Sequence, residues 1–122
     1  MSNNIYQENI IDHYTNPKNF KVIKDATYKG KFSNLSCGDE VEVYLALDNK
    51  GNITDIGFQG SGCALSIATT SILSEELKGK SIEYIKALKY EDLTSLIGIT
   101  PSVARSKCVL TGLEALRDAI KK

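Results

Sequence analysis

The sequence lacks a surplus of charge of either sign, because its 122 residues hold 15 lysines and arginines against 15 aspartates and glutamates. Without a basic surplus no bulk field attracts nucleic acid or anionic lipid, so a nucleic-acid partner is not expected. No apolar run approaches the ~20 residues that a membrane span needs, and no membrane association is expected. Residues 1–12 also lack the basic segment and apolar stretch of a secretory signal, so we expect a cytoplasmic protein.

Cysteine is scarce and odd in number, and its three positions, Cys37, Cys63 and Cys108, lie far apart. Disulfides rarely persist in a reducing cytoplasm, so a disulfide framework is not expected. No C-x-x-C pair is present, which excludes the ligand spacing of a zinc finger. Metal ligation by residues that the fold brings together, thiol chemistry and plain core packing therefore remain open.

Alternating apolar residues predict three strands in the first half of the chain. Val41, Val43, Leu45 and Leu47 lie at period two, and residues 48–51 supply turn chemistry before a returning strand. The predicted strands are 27–33, 41–47 and 53–58. We expect them to form a small antiparallel sheet.

Helical periodicity predicts helices that cover this sheet, most of them in the second half of the chain. They are expected at residues 4–15, at 63–78, from Ser81, at 91–97 and from about Pro101 to the end. Thr100 suits the N-cap of the last helix, and Pro101 suits its first turn. The first helix is expected to bury Ile5, Ile10, Ile11 and Tyr14. Together these elements predict one α+β domain over residues 1–122.

Two of the cysteines lie beside glycine in segments that suit a ligand site. Cys37 precedes Gly38 in a polar loop. Cys63 follows Gly62 at the start of a predicted helix, whose N-terminal dipole favours the thiolate that binds metals. Asp39 can turn back toward the same centre, or it can hydrogen-bond its local backbone as an aspartate beside glycine commonly does.

Two further residues have a structural interpretation beside the functional one. Cys108 lies inside the last predicted helix, where a buried cysteine often only packs. His13, the single histidine, lies on the first helix, and capping or packing is favoured over metal ligation. Spacing alone therefore leaves the ligand set open.

Four segments resemble the IscU/NifU/SufU family of iron–sulfur scaffold proteins. Residues 6–19 (YQENIIDHYTNPKN) are similar to the family's opening, and residues 37–39 (CGD) are similar to its first ligand loop. Residues 58–66 (FQGSGCALS) are similar to the second ligand loop, and residues 105–108 (RSKC) lie where the third cysteine is expected. The segments occur in the family's order along essentially the whole chain.

The resemblance implies a SufE/NifU-like α+β fold, a small three-stranded antiparallel sheet covered by helices, with the ligands clustered at one end. In the family, three cysteines and an aspartate bind a 2Fe–2S cluster or zinc. The resemblance therefore implies that a transient 2Fe–2S cluster, iron or zinc is bound by Cys37, Asp39, Cys63 and Cys108. It also implies that Cys108 is the acceptor of sulfur. The implied partners are a cysteine desulfurase, apo iron–sulfur acceptor proteins, and frataxin-like or ferredoxin proteins, and the protein itself would be a carrier rather than an enzyme.

Lys107 leaves a second function open. IscU-type members carry histidine directly before the third cysteine, whereas residues 104–108 here resemble the SufU branch, whose members bind zinc and relay sulfur from their desulfurase. SufU members also carry an insertion before this segment, and the stretch from Cys63 to Cys108 is too short to contain it. The resemblance therefore implies either a cluster scaffold or a zinc-dependent sulfurtransferase. A third alternative is a structural zinc domain without sulfur chemistry.

Overall fold

The order of helices and strands along the chain is the one that the sequence pattern predicts. The computed structural model describes the backbone of residues 2–34, 38–102 and 105–121, and side chains from residue 7 onward. Within these residues the elements are α1 (Ser2–Thr15), β1 (Tyr28–Asn34), β2 (Asp39–Leu47), β3 (Ile53–Ser61), α2 (Ala64–Leu77), α3 (Ile82–Ala87), α4 (Tyr90–Ile97) and α5 (Ser106–Ile120). None of the described helices is both long and apolar enough to cross a membrane.

The three strands pair in the order β1, β2, β3, and both pairs are antiparallel, as predicted. The period-two face buries Val41, Val43 and Leu45 almost completely. Strand β3 continues beyond its predicted end, so that Ser61 pairs with Glu40 of β2. This extension carries the chain from the sheet directly to the start of α2.

Helices α2 and α5 cover the sheet and approach each other closely. Helix α5 packs on β1 and β2, while α2 lies between α1 and α5 and also contacts β3. Where α2 and α5 meet, a Cβ on Gly112 would lie 2.3 Å from Thr70 Oγ1, so only glycine allows this spacing. Cys108 lies one helical turn before Gly112 on the same face of α5. The close packing therefore places Cys108 on the side of α5 that faces α2.

The last helix begins later than predicted. Helix α5 begins at Ser106 with Arg105 as its N-cap residue, so the predicted start near Pro101 and the predicted N-cap at Thr100 are wrong. Before the helix, the Arg105 N–H donates to the Ser102 carbonyl at 2.9 Å. A proline ring holds φ at about −65°, a value that fits extended chain as well as the first turn of a helix. Pro101 alone therefore does not determine where α5 begins.

Helix α1 buries a narrower face than predicted. Ile10 and His13 are buried, but Ile11 and Tyr14 are 60% and 45% exposed, so the prediction that these two face the core is wrong. Helical residues are about 100° apart around the axis, which puts Ile10 and His13 on one stripe and Ile11 outside it. Among residues 7–15, whose side chains the structure describes, burial is confined to that stripe, because α1 packs chiefly against α2. The side chain of Ile5 lies outside the described residues.

His13 ties α1 to α2 through a buried hydroxyl. Its Nδ1 lies 2.7 Å from Ser71 Oγ, and the Lys18 N–H donates to the same oxygen at 2.8 Å. The Ser71 hydroxyl oxygen thus lies within hydrogen-bond distance of two groups, one on α1 and one in the segment that follows it. Nε2 lies 3.6 Å from Glu75 Oε1. His13 is thus a packing residue, as the sequence favoured.

Replacing Ser71 with alanine should lower the free energy of unfolding by about 1–3 kcal/mol, because it leaves His13 Nδ1 and the Lys18 N–H without their partner. Chemical denaturation measures this change. Ser33→Ala is the matched control, since it removes the same atom from an exposed hydrogen bond to Glu40 and should cost less than about 0.5 kcal/mol. Equal losses in the two variants would contradict the role given to this network.

Candidate metal centre

Three chain segments meet at one end of the sheet. Asp39 opens β2 opposite Asn34 of β1. Cys63 is the N-cap residue of α2, just after β3, and Cys108 lies in the first turn of α5. One ligand atom from each of Asp39, Cys63 and Cys108 lies within 4.8 Å of the other two. The fold therefore gathers three of the four residues that the sequence singled out.

The fourth candidate, Cys37, lies outside the described residues. Its neighbour Gly38 has a φ of +72°, a conformation that favours glycine. Gly38 leads directly into Asp39 at the start of β2. The ligand role of Cys37 stays a prediction.

The Asp39 carboxylate is buried, and the described residues satisfy only one of its oxygens. Asp39 is 2% exposed, and its Oδ1 accepts the backbone N–H of Cys63 at 2.9 Å. Its Oδ2 is buried without a hydrogen-bond partner among the described residues. Leaving a buried polar atom unpaired costs roughly 1–3 kcal/mol, and more for a charged group. A cation at Oδ2 would remove that cost, so the residue fits a metal site.

The donor set and its spacing suit a metal ion or the iron of a cluster. Zinc binds thiolate sulfur at ~2.3 Å and carboxylate oxygen at ~2.1 Å, so the donors of a tetrahedral site lie about 3.5–3.8 Å apart. The 4.8 Å limit on the three described atoms is within a small adjustment of that spacing. Thiolates bind both zinc and iron–sulfur clusters. The three residues therefore fit either group and leave one position of a tetrahedral site for another ligand.

The two described thiols differ in their access to solvent. Cys63 is half-buried, whereas Cys108 is 1% exposed. A reagent that approaches from outside therefore reaches Cys63 more readily than Cys108, which becomes accessible only after a local rearrangement. Lys107, the residue before Cys108, is exposed on the surface of α5.

Glu42, an acidic residue three positions after Asp39 in β2, already has hydrogen-bond partners. Its carboxylate accepts the Tyr44 hydroxyl at 2.7 Å and the Gln59 side-chain amide at 2.9 Å. These hydrogen bonds, with that from Tyr44 the stronger influence, lower the pKa of Glu42. Burial, followed by the bond to Glu42, raises the pKa of Tyr44 to about 12. The Glu42 carboxylate thus has hydrogen-bond partners within the sheet, whereas Asp39 Oδ2 has none among the described residues.

Sequence reasoning missed the contacts that hold Asp39. Asp39 was expected to be either a metal ligand or a turn residue that bonds its local backbone. In the structure its Oδ1 instead accepts the backbone N–H of Cys63, a residue from another segment of the chain. Gly62 was expected only to let the backbone approach a ligand beside Cys63, whereas a Cβ there would lie 2.3 Å from Asp39 Oδ1. The available signal was a glycine placed directly before a candidate ligand.

Replacing Cys63 or Cys108 with serine should lower the affinity for Co²⁺, a spectroscopic substitute for zinc, by about tenfold or more, because each change removes a thiolate donor. An anaerobic titration followed by thiolate-to-cobalt charge-transfer absorption measures the affinity and the loss of intensity. Lys107→Ala is the control and should leave both unchanged. Undiminished absorption in either cysteine variant would remove that cysteine from the ligand set.

Comparison with known proteins places this geometry in a family. Residues 5–122 match the NifU-like N terminal domain. The chain is similar to the iron-sulfur cluster assembly scaffold protein IscU of Aquifex aeolicus, with 37% identity over 117 residues that cover 95% of this chain and 74% of that protein. It is also similar to the zinc-dependent sulfurtransferase SufU of Bacillus subtilis, with 31% identity, 97% of this chain covered and 90% of that protein.

A solved structure agrees with the fold. The crystal structure of a proposed iron-sulfur cluster assembly scaffold protein for the SUF system from Fervidobacterium islandicum has a TM-score of 0.79 and 29% identity, and the match covers 98% of each chain. The α+β architecture predicted from the sequence is therefore confirmed. The match over nearly the whole chain shows that it belongs to the IscU/NifU/SufU family of proteins with a NifU-like N-terminal domain.

Proposed function

We propose that this protein is a scaffold on which an iron–sulfur cluster is assembled as cargo and from which it passes to acceptor proteins. The observation that carries the proposal is the gathering of Asp39, Cys63 and Cys108 within 4.8 Å, with Asp39 Oδ2 buried and unpartnered among the described residues. The scaffold names of relatives at 37% identity support it. In this proposal Cys37, two residues before Asp39, supplies the remaining ligand.

The carboxylate is the weak member of the proposed ligand set. Iron–sulfur clusters are held by thiolates, and a hard carboxylate oxygen is a poorer ligand for soft iron–sulfur chemistry. An incoming acceptor thiolate therefore displaces Asp39 more readily than it displaces a cysteine. When Asp39 gives way, its Oδ1 still has the Cys63 N–H as a partner. This arrangement suits a protein that must release its product.

Replacing Asp39 with alanine should lengthen the lifetime of a bound cluster, because the ligand that is most easily displaced by an acceptor thiolate is gone. The decay of visible absorption after addition of an apo-acceptor measures the lifetime. Glu42→Ala is the control, since it removes a carboxylate of the same strand that lies outside the cluster of ligand atoms. Faster loss of the cluster from the Asp39 variant would overturn the release argument.

We assign the receipt of sulfur to Cys108. Its thiolate attacks the outer sulfur of a desulfurase persulfide, the S–S bond of that persulfide breaks, and the desulfurase cysteine leaves as a thiolate. Because Cys108 is 1% exposed, the step requires a local rearrangement that uncovers its thiol. A reductant then supplies the two electrons that convert the transferred sulfur to sulfide. Ferredoxin, as that reductant, and a frataxin-like partner stay predictions.

Anaerobic cluster transfer tests the scaffold proposal. Metal-stripped protein receives Fe²⁺, cysteine, a reductant and a cognate desulfurase, and then an apo-ferredoxin. The expected result is visible absorption that forms on this protein and then moves to the ferredoxin, faster than in a parallel reaction without this protein. Sulfide production by the desulfurase without any cluster on this protein would contradict the proposal.

A zinc-dependent sulfur relay is the second candidate, and Lys107 is the observation that favours it. The 31% identity to a zinc-dependent sulfurtransferase over 97% of the chain supports the same alternative. In this function Cys37, Asp39, Cys63 and Cys108 would hold zinc, which would favour the thiolate forms of the cysteines, and Cys108 would be exchanged for a desulfurase residue while it accepts sulfur. Zinc-loaded protein would then accelerate desulfurase turnover, and no cluster would form in the transfer assay.

Removing bound metal with a chelator should leave the protein largely folded. Structural zinc contributes ~10–16 kcal/mol in zinc-finger peptides, which unfold without it. This chain instead buries an apolar core that joins the sheet to its helices, including Val41, Leu45, Phe58, Leu113 and Leu116. Far-UV circular dichroism before and after chelation measures the change. A collapse of the helical signal would favour the third alternative, a structural zinc domain.

A further inference from the structure

We propose that Gly62 is a positioning residue for Asp39. Its missing side chain leaves the space in which the Asp39 carboxylate lies, so that Oδ1 bonds the Cys63 N–H and Oδ2 is presented to a bound metal. The inference deepens the proposed function and rests on it for the identity of the cargo. Its test uses zinc alone.

A side chain at position 62 would overlap the carboxylate. An alanine Cβ would lie 2.3 Å from Asp39 Oδ1 and 2.9 Å from Asp39 Cγ, both far below the roughly 3.5 Å of a favourable heavy-atom contact. Asp39 Cα would lie 3.1 Å away. The carboxylate ends a side chain that rotates, whereas Cα belongs to the paired strand β2. The carboxylate is therefore the group that moves.

Movement of the carboxylate would undo both of its contacts. The 2.9 Å bond between Oδ1 and the Cys63 N–H would break. Oδ2 belongs to the same rigid carboxylate, so it would leave the position close to the Cys63 and Cys108 sulfurs. The site would then keep its thiols and lose its oxygen ligand.

Gly60 shows why this effect is particular to Gly62. A Cβ on Gly60 would lie 2.1 Å from the Glu40 carbonyl oxygen and 2.9 Å from Val41 Cα. Both atoms are main-chain atoms of β2, so alanine there would disturb the pairing of β2 with β3. At Gly62 the two nearest atoms belong to the side chain of Asp39, a candidate ligand. Because glycine has no side chain, the Asp39 carboxylate can occupy its observed position.

A double-mutant cycle on zinc affinity tests the proposal. Competition with a chromophoric chelator gives the Zn²⁺ affinity of wild type, Gly62→Ala, Asp39→Ala and the double variant. Gly62→Ala should lower the affinity of the wild type by about tenfold or more, and it should cause no further loss in the Asp39→Ala background. Backbone strain at the Gly62 φ of +159° is common to both backgrounds and cancels in the cycle.

Gly57→Ala is the matched control. It is the same substitution within β3, the strand that ends just before Gly62, and its Cβ would lie 2.5 Å from the Lys21 carbonyl oxygen, away from the ligands. It should lower the denaturation midpoint without lowering the zinc affinity. Circular dichroism of each variant checks that it is folded.

Each outcome of the cycle decides the proposal. A similar loss of affinity from Gly62→Ala in both backgrounds, or no loss in the wild type, would overturn it. A Gly62→Ala variant that folds only when Asp39 is also replaced would support it, because folding then shows the same coupling. If neither variant folds, the strain lies in the backbone and the proposal is wrong. A positive cycle with failed cluster transfer would reject the scaffold function alone.

Discussion

The hydrogen bond from the Cys63 N–H to Asp39 Oδ1 is the contact on which the rest of the site depends. It joins the first residue of β2 to the N-cap residue of α2, so the end of the sheet and the start of the helix are held together. A charged acceptor in a buried place makes such a bond worth roughly 1.5–3 kcal/mol. The bond gives the two carboxylate oxygens different surroundings. Oδ1 accepts the backbone N–H of Cys63, whereas Oδ2 is buried and has no hydrogen-bond partner among the described residues.

The two helices that carry the described thiols are held at a set spacing by contacts away from the site. On one side of α2, His13 and Ser71 bind it to α1. On the other side, Gly112 brings α5 against Thr70. Packing among the helices therefore brings the thiols of Cys63 and Cys108 close to each other.

Local sequence signals predicted most of the fold, and the family resemblance named Asp39, Cys63 and Cys108, the three residues that the structure brings together. Alternation along β2 and the turn after it predicted the hairpin, and glycine beside Cys63 predicted a backbone suited to a ligand. The start of α5 could not be predicted, because Pro101 fits extended chain and a first helical turn equally well. The exposure of Ile11 depends on how many elements pack against α1, and the close approach of Gly62 to Asp39 depends on the tertiary fold. Neither can be deduced from the periodicity of the sequence.

X-ray absorption at the zinc edge, on protein loaded with one equivalent of zinc, identifies the atoms that bind the metal. If Cys37, Asp39, Cys63 and Cys108 are the ligands, the spectrum shows three sulfur neighbours at ~2.3 Å and one oxygen neighbour at ~2.1 Å. Replacing Asp39 with alanine should weaken the oxygen signal, because the carboxylate is gone, while the three sulfur neighbours remain. Two sulfurs or fewer in the wild type, or an oxygen signal of undiminished strength in the Asp39 variant, would rule out this ligand set.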